Sequence, residues 1–338
     1  MDHEVAITIT KTSPDDSLYR SFHSYAYVTF LAGGGDYVKG VVCLAKGLRK
    51  VKAAYPLVVA VLPDVPEDHR NMLLNQGCIL REIDPVLPPV GNKESSFARA
   101  YFAVNYCKLR LWKFTEYWKM IYMDADIQVL GNMDNLFSLP SGRFYAVMDC
   151  LCEMDKYLCP HVVPWPQELG ERPPVYLNCG MFLFEPSRHT YASLLGTLRV
   201  TPPTPFAEQD FLNMFFKDIA KALHPIYNFL LPMLWRHPKY VELDTVKAVH
   251  FCVPGSKPWN YTGEGENMDR KDVKMLVDSW WGMYCDAALD FPCNGATNGA
   301  TARGSNGATS RGSNGASSWG FNGASSWGFN GASSRGSG

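Results

Sequence analysis

Two carboxylates one residue apart, in Lys119-Met120-Ile121-Tyr122-Met123-Asp124-Ala125-Asp126-Ile127-Gln128-Val129-Leu130, are the residues of this chain best spaced to do chemistry. An apolar run leads into them and apolar residues resume at once, which is how a buried strand reads when it ends at a functional edge. An unpaired carboxylate is too costly to bury, so the pair must face water, a cationic side chain or a metal ion. Strand-like alternation sets Asp124 and Asp126 on one side, where both could hold one hard divalent cation through oxygen. Asp-x-Asp is a short motif, and a solvated turn after a strand fits the same residues.

Four further segments carry ligand-type residues. Lys108 lies in Lys108-Leu109-Arg110-Leu111-Trp112, just before the strand that ends at the carboxylates. Asn178 sits inside the apolar run Leu177-Asn178-Cys179-Gly180-Met181-Phe182, where a buried amide needs a specific partner. Glu208-Gln209-Asp210 opens a helix; it either complements that helix's dipole or offers acceptors to a polyhydroxylated ligand. His250 leaves a buried strand and is followed by Gly255, which permits close backbone approach, and by Lys257, which suits anionic oxygens. A histidine in that place is also an ordinary core or edge residue.

The elements that must position these residues alternate in type. Residues 25–32 read as a strand, 37–50 as a helix with basic residues in its last turn, 57–62 as a buried strand, 66–76 as a helix and 78–83 as a strand. Ser95 or Ser96 caps an expected long helix to about Tyr117, which feeds the Asp-x-Asp strand. Such an order predicts an α/β fold with a mostly parallel central sheet and helices on both faces, and ligands at the carboxyl ends of its strands. The second half gives strands over 143–148, 175–184 and 246–252, and helices over 187–198, 208–216 and 270–289. Gly33-x-Gly35 is not a dinucleotide fingerprint, because Val38 stands where a third glycine or alanine is needed. No Walker A loop is present.

Composition narrows the function. A formal net charge of -1 over 338 residues argues against a broad nucleic-acid surface. No apolar run approaches the roughly 18–20 residues that cross a bilayer, and the amino terminus lacks a signal-peptide pattern, so a soluble, cytoplasmic protein is expected. The ten cysteines fit that expectation. Cys150, Cys152 and Cys159 with His161 form their one cluster; Cys-x-Cys is not the usual zinc spacing, and reduced loop thiols are the reading preferred. Asn260-Tyr261-Thr262 is a glycosylation sequon that matters only in a secreted chain. Residues 1–22 read as a flexible lead-in and 23–290 as one domain. Residues 291–338 read as a disordered tail, in which an eight-residue unit recurs with Asn298, Asn306, Asn314, Asn322 and Asn330.

Taken in order, Met123-Asp124-Ala125-Asp126, Asn178-Cys179-Gly180, Gln209-Asp210-x-Leu212-Asn213 and the stretch His250 to Trp259 resemble glycosyltransferase family 8. Thr29 through Val42, Thr201 through Asp210 and Trp235-Arg236-His237-Pro238 are most similar to its plant galactosyltransferase subfamily. The resemblance covers about residues 25 to 290. It departs from the family between Cys152 and Trp165, where this chain is shorter, and at the carboxyl terminus, where the octapeptide tail replaces Ala-Pro-Ser-Ala-Ala.

The resemblance implies a GT-A (Rossmann-like nucleotide-sugar-binding) fold, UDP-galactose as donor, myo-inositol as acceptor and Mn²⁺ as cofactor. It leaves a homo-oligomer open. Asp124, Asp126 and His250 would be the metal ligands. Leu31 and Tyr37 would line the nucleotide pocket, Gly255 and Lys257 would suit the diphosphate, and Ala125 would be a further substrate-binding residue. Asn178, Glu208, Gln209 and Asp210 would surround the hexose, with Lys108, Gln209 and Asp210 as catalytic candidates. The reaction would retain anomeric configuration, by double displacement with Asp210 as nucleophile or by front-face attack with the leaving phosphate as base. The rival readings are a glycogenin-like hexosyltransferase, a nucleotide-sugar hydrolase and a UDP-sugar-binding protein without turnover.

Overall fold

The computed structural model describes residues 24–87, 97–152 and 159–292. The expected lead-in, and the expected tail from residue 293 onward, lie outside them. Seven strands make the central sheet: β1 (Ser24–Leu31), β2 (Leu57–Val61), β3 (Ile79–Glu82), β4 (Tyr117–Met123), β6 (Phe144–Met148), β7 (Leu177–Phe184) and β8 (Ala220–Leu223), in the order β3-β2-β1-β4-β7-β6-β8. Strand β1 is parallel to β2 and β4, β2 to β3, and β6 to β8; β7 runs antiparallel between β4 and β6. This is the mostly parallel α/β sheet that the element order predicts.

Side-chain alternation between two covered faces explains why the inner strands are mostly apolar. Ala26, Val28, Met120 and Tyr122 enter one core, while Tyr27, Ile121 and Met123 enter the other. Both faces are covered, which leaves little room for polar side chains on these strands. Helix α1 (Tyr37–Lys50) has the bounds expected from its pattern. Helices α2 (Glu67–Asn75), α3 (Arg188–Leu198) and α4 (Glu208–Phe215) also fall within the expected ranges. Ser187 caps α3 by accepting the Thr190 N–H.

Three expectations need correction. The long helix before β4 is a run of 3-10 turns over Ala100–Lys113, with no side-chain cap; Ser95 and Ser96 lie outside the described residues. Its contacts hold it on several sides. Arg110 donates to the carbonyls of Asp84 and Pro85, and the Trp112 carbonyl accepts from the Ser187 N–H. Trp112 itself is stacked among Phe182, Phe184 and Phe216. Tertiary anchoring overrides an α-helical preference here. The strand expected over 246–252 shrinks to β10 (Ala248–His250), because the Phe251 N–H turns to the Asp126 carbonyl. The last helix, α6 (Lys271–Cys285), follows the single-turn α5 (Met233–Arg236) and stops early, where the Asp286 carboxylate accepts from the Ala288 N–H and starts a 3-10 turn.

β10 belongs to a second, three-stranded sheet with β5 (Ile127–Val129) and β9 (Phe229–Leu230), two strands too short to carry periodicity in the sequence. It packs with α6 around Trp280, Phe251 and Val249. No helix among the described residues is long and apolar enough to cross a membrane.

Candidate functional site

Strand β4 ends at Met123 and β5 begins at Ile127, so Asp124-Ala125-Asp126 is the turn between the two sheets. The backbone fixes this turn. Asp124 N–H donates to Gly180 O at 2.7 Å, Ile127 N–H to Asp124 O at 3.1 Å, and Phe251 N–H to Asp126 O at 3.0 Å. Register then delivers the histidine, because His250 pairs with Ile127 across β5 and β10. Two glycines make the room. A Cβ on Gly40 of α1 would lie 2.2 Å from the Ala125 carbonyl oxygen, and one on Gly180 would lie 2.2 Å from His250 Cε1.

Around this turn the charges are arranged in pairs. His250 Nε2 is 3.2 Å from Asp126 Oδ1 and 3.8 Å from Asp124 Oδ2. Lys257 bonds Asp126 and the Phe251 carbonyl, and Lys108 lies 2.9 Å from Asp124 Oδ1 and 2.8 Å from Glu208 Oε1. Tyr122 donates its hydroxyl to Asp124 and places its ring beneath the Lys108 ammonium. Burial works against the charges of Asp126, Lys108, Lys257 and Glu208. It pushes the Asp126 carboxyl up, yet Lys257 and His250 hold it well below the usual carboxylate range. Burial pulls both lysines down, and the carboxylates beside them raise both above the ordinary value. Glu208 ends above its ordinary value, because burial outweighs Lys108.

A second network faces the first. Asp149, which directly follows β6, accepts from Asn178 Nδ2 at 2.9 Å and from Gln209 Nε2 at 3.3 Å. The Asn178 amide oxygen takes the Gly180 N–H and Asn228 Nδ2, each at 3.0 Å, and the Gln209 oxygen takes the Cys179 N–H at 3.0 Å. The buried amide inside β7 therefore has the partners it requires. Burial raises the Asp149 carboxyl above its ordinary range against those two amide bonds.

One cavity of about 670 Å³ joins both networks. Leu31, Tyr37, Lys108, Asp124, Ala125, Asp126, Asn178, Glu208, Gln209, His250 and Lys257 all line it. Asp210 and Gly255 do not line it. Asp210 is fully buried, and its oxygens are taken by the Tyr176 hydroxyl at 2.5 Å and the Phe206 N–H at 3.0 Å. Gly255 takes a positive φ of 77° in the turn that carries Lys257 and packs toward Met268. Sequence reasoning missed Asp149, Arg236 and Arg99, which also line the cavity. Asp149 had a legible signal: like Asp124, it closes an apolar strand.

Asp124, Asp126 and His250 each bring one donor atom within 4.8 Å of the others. His250 Nδ1 is buried and finds no hydrogen-bond partner among the described residues. Two carboxylates and an imidazole suit a borderline-hard divalent cation, so these residues fit one.

The family model for glycosyl transferase family 8 matches residues 28–263. The chain belongs to glycosyltransferase family 8. Among curated family 8 relatives, galactinol synthase 1 of Arabidopsis thaliana is 62% identical over 278 residues, covering 79% of this chain and 80% of that protein. Galactinol synthase 2 of Solanum lycopersicum is 60% identical over 283 residues, covering 80% and 83%. Among solved structures, the galactosyltransferase LgtC in complex with donor and acceptor sugar analogs covers 76% of this chain and 99% of its own, at 18% identity and a TM-score of 0.52. That likeness shows the fold, which is the expected GT-A arrangement.

Two outcomes follow from this geometry. Gly180→Ala drives a methyl group into the His250 ring, and we expect divalent-cation affinity, measured by calorimetry with Mn²⁺ as the probe, to fall on the order of tenfold or more with circular dichroism unchanged. The raised Asp149 carboxyl makes stability depend on pH. The folded state holds its proton more tightly than the unfolded one, so this contribution is complete below about 3.9 and is lost as pH rises through the folded value. Urea stability of the wild type relative to Asp149→Asn should therefore decline from acid toward neutral pH. A constant difference would contradict the shift.

Proposed function

We propose that this protein is a galactinol synthase, a retaining hexosyltransferase that moves galactose from UDP-galactose to myo-inositol and releases UDP. The observation that carries the reading is a single cavity where two aspartates and a histidine meet two lysines. It occurs in a chain about 60% identical to galactinol synthases over most of its length. An anionic leaving group needs that mixture: donors for a cation and fixed positive charge beside it.

Mn²⁺ is the cofactor we assign to Asp124, Asp126 and His250; when bound it would supply Lewis-acid stabilisation of the charge gained by the diphosphate. Lys257, buried and held cationic beside Asp126, adds fixed positive charge for the same oxygens. Tyr37, packed edge-on against Trp259, and Leu31 would enclose the nucleotide. Asn178, Gln209, Asp149 and Glu208 would meet the hexose and the inositol hydroxyls, and Lys108 holds Glu208 in place. Asp210 acts at one remove: it fixes Tyr176, whose hydroxyl accepts from Gln209 at 3.2 Å.

Each carboxylate lining the cavity is already engaged by a lysine or by amide donors. This favours front-face attack over a covalent intermediate. The bond from the anomeric carbon to the phosphate oxygen breaks, the bond to the inositol oxygen forms on the same face, and the inositol proton passes to the departing phosphate. Hydrogen bonds to the engaged carboxylates orient the acceptor without any of them acting as nucleophile. We place the reaction in the cytoplasm, where reduced cysteines persist.

UDP release from UDP-galactose should require both myo-inositol and Mn²⁺, and should fall roughly a hundredfold or more in Asp124→Ala. UDP release that is equal with and without inositol would mean a hydrolase. Faster turnover of UDP-glucose onto the protein itself would mean a self-glucosylating enzyme.

A further inference from the structure

Away from the Asp124 cluster, the described residues bring together one other set of metal-ligating side chains, and no step of the reaction above uses it. Its members are Cys150, Cys152, Cys159 and His237, each offering one donor atom within 4.8 Å of the rest. Cys150 Sγ is 3.1 Å from Cys152 Sγ, 3.5 Å from Cys159 Sγ and 3.1 Å from His237 Nε2, and Cys159 Sγ is 3.5 Å from the same nitrogen. The Cys159 N–H points at Cys152 Sγ at 3.5 Å.

These separations discriminate between the chemistries open to three cysteines. A disulfide needs sulfur atoms about 2.0 Å apart, and none of these pairs approaches that. A tetrahedral ion with Zn–S near 2.3 Å and Zn–N near 2.0 Å has edges of about 3.8 Å between sulfurs and about 3.5 Å between sulfur and nitrogen. The Cys159 Sγ to His237 Nε2 edge, at 3.5 Å, has that length, and the other observed edges, at 3.1 to 3.5 Å, are shorter, so the ion would spread the thiols slightly. Four convergent soft and borderline donors, two of them buried and two half-buried, select zinc over the hard cations that carboxylates prefer. Reduced thiols alone give no reason for a histidine 87 residues away to approach two of them.

We propose that Cys150, Cys152, Cys159 and His237 hold a structural Zn²⁺, as a closed Cys₃His centre distinct from the cation site at Asp124. Binding would displace the thiol protons, so that the sulfurs ligate as thiolates. The Cys159 N–H then serves as a donor to a thiolate. The position of the centre gives it a purpose. Cys150 directly follows Asp149, and His237 directly follows Arg236, and both of those neighbours line the cavity. The ion would thus clip together two cavity walls that come from distant parts of the chain. This holds whichever sugar the enzyme transfers.

The test uses the full chain, purified under reducing conditions and passed over a desalting column, with zinc measured by plasma mass spectrometry. About one zinc per chain is expected in the wild type and in Asp124→Asn, and a loss of at least tenfold in Cys150→Ser/Cys152→Ser. His237→Ala should weaken zinc affinity by at least tenfold. A second measurement on the wild type guards against misfolded variants: 1,10-phenanthroline should expose additional thiols to a chromogenic thiol reagent. The proposal is overturned if wild-type protein carries no zinc and its thiols react fully without chelator. It is equally overturned if those thiols stay silent until a reductant is added, which would mean a disulfide. Zinc lost from Asp124→Asn but retained in the double cysteine variant would assign the ion to the other site.

Discussion

Burial of charge at the junction of the two sheets is the constraint on which the remainder of the molecule depends. Asp126 is almost wholly buried, as are Lys108, Glu208 and His250. Each is tolerable only because another stands within contact distance. Removing one partner of a buried pair typically costs about 3–5 kcal/mol, because the remaining charge stays desolvated. Replacing such a pair with apolar residues would be no worse for stability. Their retention in a cavity wall is therefore better explained by chemistry than by folding: fixed charges in a poorly solvated site act on a ligand with far less screening than in water.

The fold serves this arrangement by converging four chain segments on one turn. Strand β4 brings the aspartates, β10 brings His250 in register with Ile127, and the 3-10 segment brings Lys108. The loop after β10 returns Lys257 to Asp126. Gly40 and Gly180 let the neighbouring backbone approach closer than any side chain would allow. The aromatic stack about Trp112 and Phe182 fixes the 3-10 segment against β7, so Lys108 and Asn178 are held by the same packed layer. On the far wall, Asp149 and Arg236 belong to segments joined by the cysteine and histidine cluster.

Much of this was legible in residues because the signals are local. The bounds of α1 follow from its period and basic last turn, and the inner strands from unbroken apolar runs. Asp124, Asp126, Asn178 and Lys257 announce themselves as polar groups that an apolar setting must explain. What escaped was non-local. The 3-10 character of residues 100–113 is set by tertiary partners, and the short strands β5 and β9 have too few residues to show a period. Asp210 looked like a nucleophile from its place beside Gln209, yet the first turn of α4 points it at Tyr176 and Phe206. Cys150-x-Cys152 lacked a metal spacing because its fourth partner, His237, comes from another part of the chain.

The central claim is that the carboxylates and lysines at this junction are built to hold a cation and a diphosphate together. Calorimetric titration of UDP, with and without Mn²⁺, tests it without any turnover. Tight UDP binding that needs Mn²⁺, and that is lost in Asp126→Asn, is the predicted result. UDP binding of equal strength without the cation, or unchanged in Asp126→Asn, would contradict it.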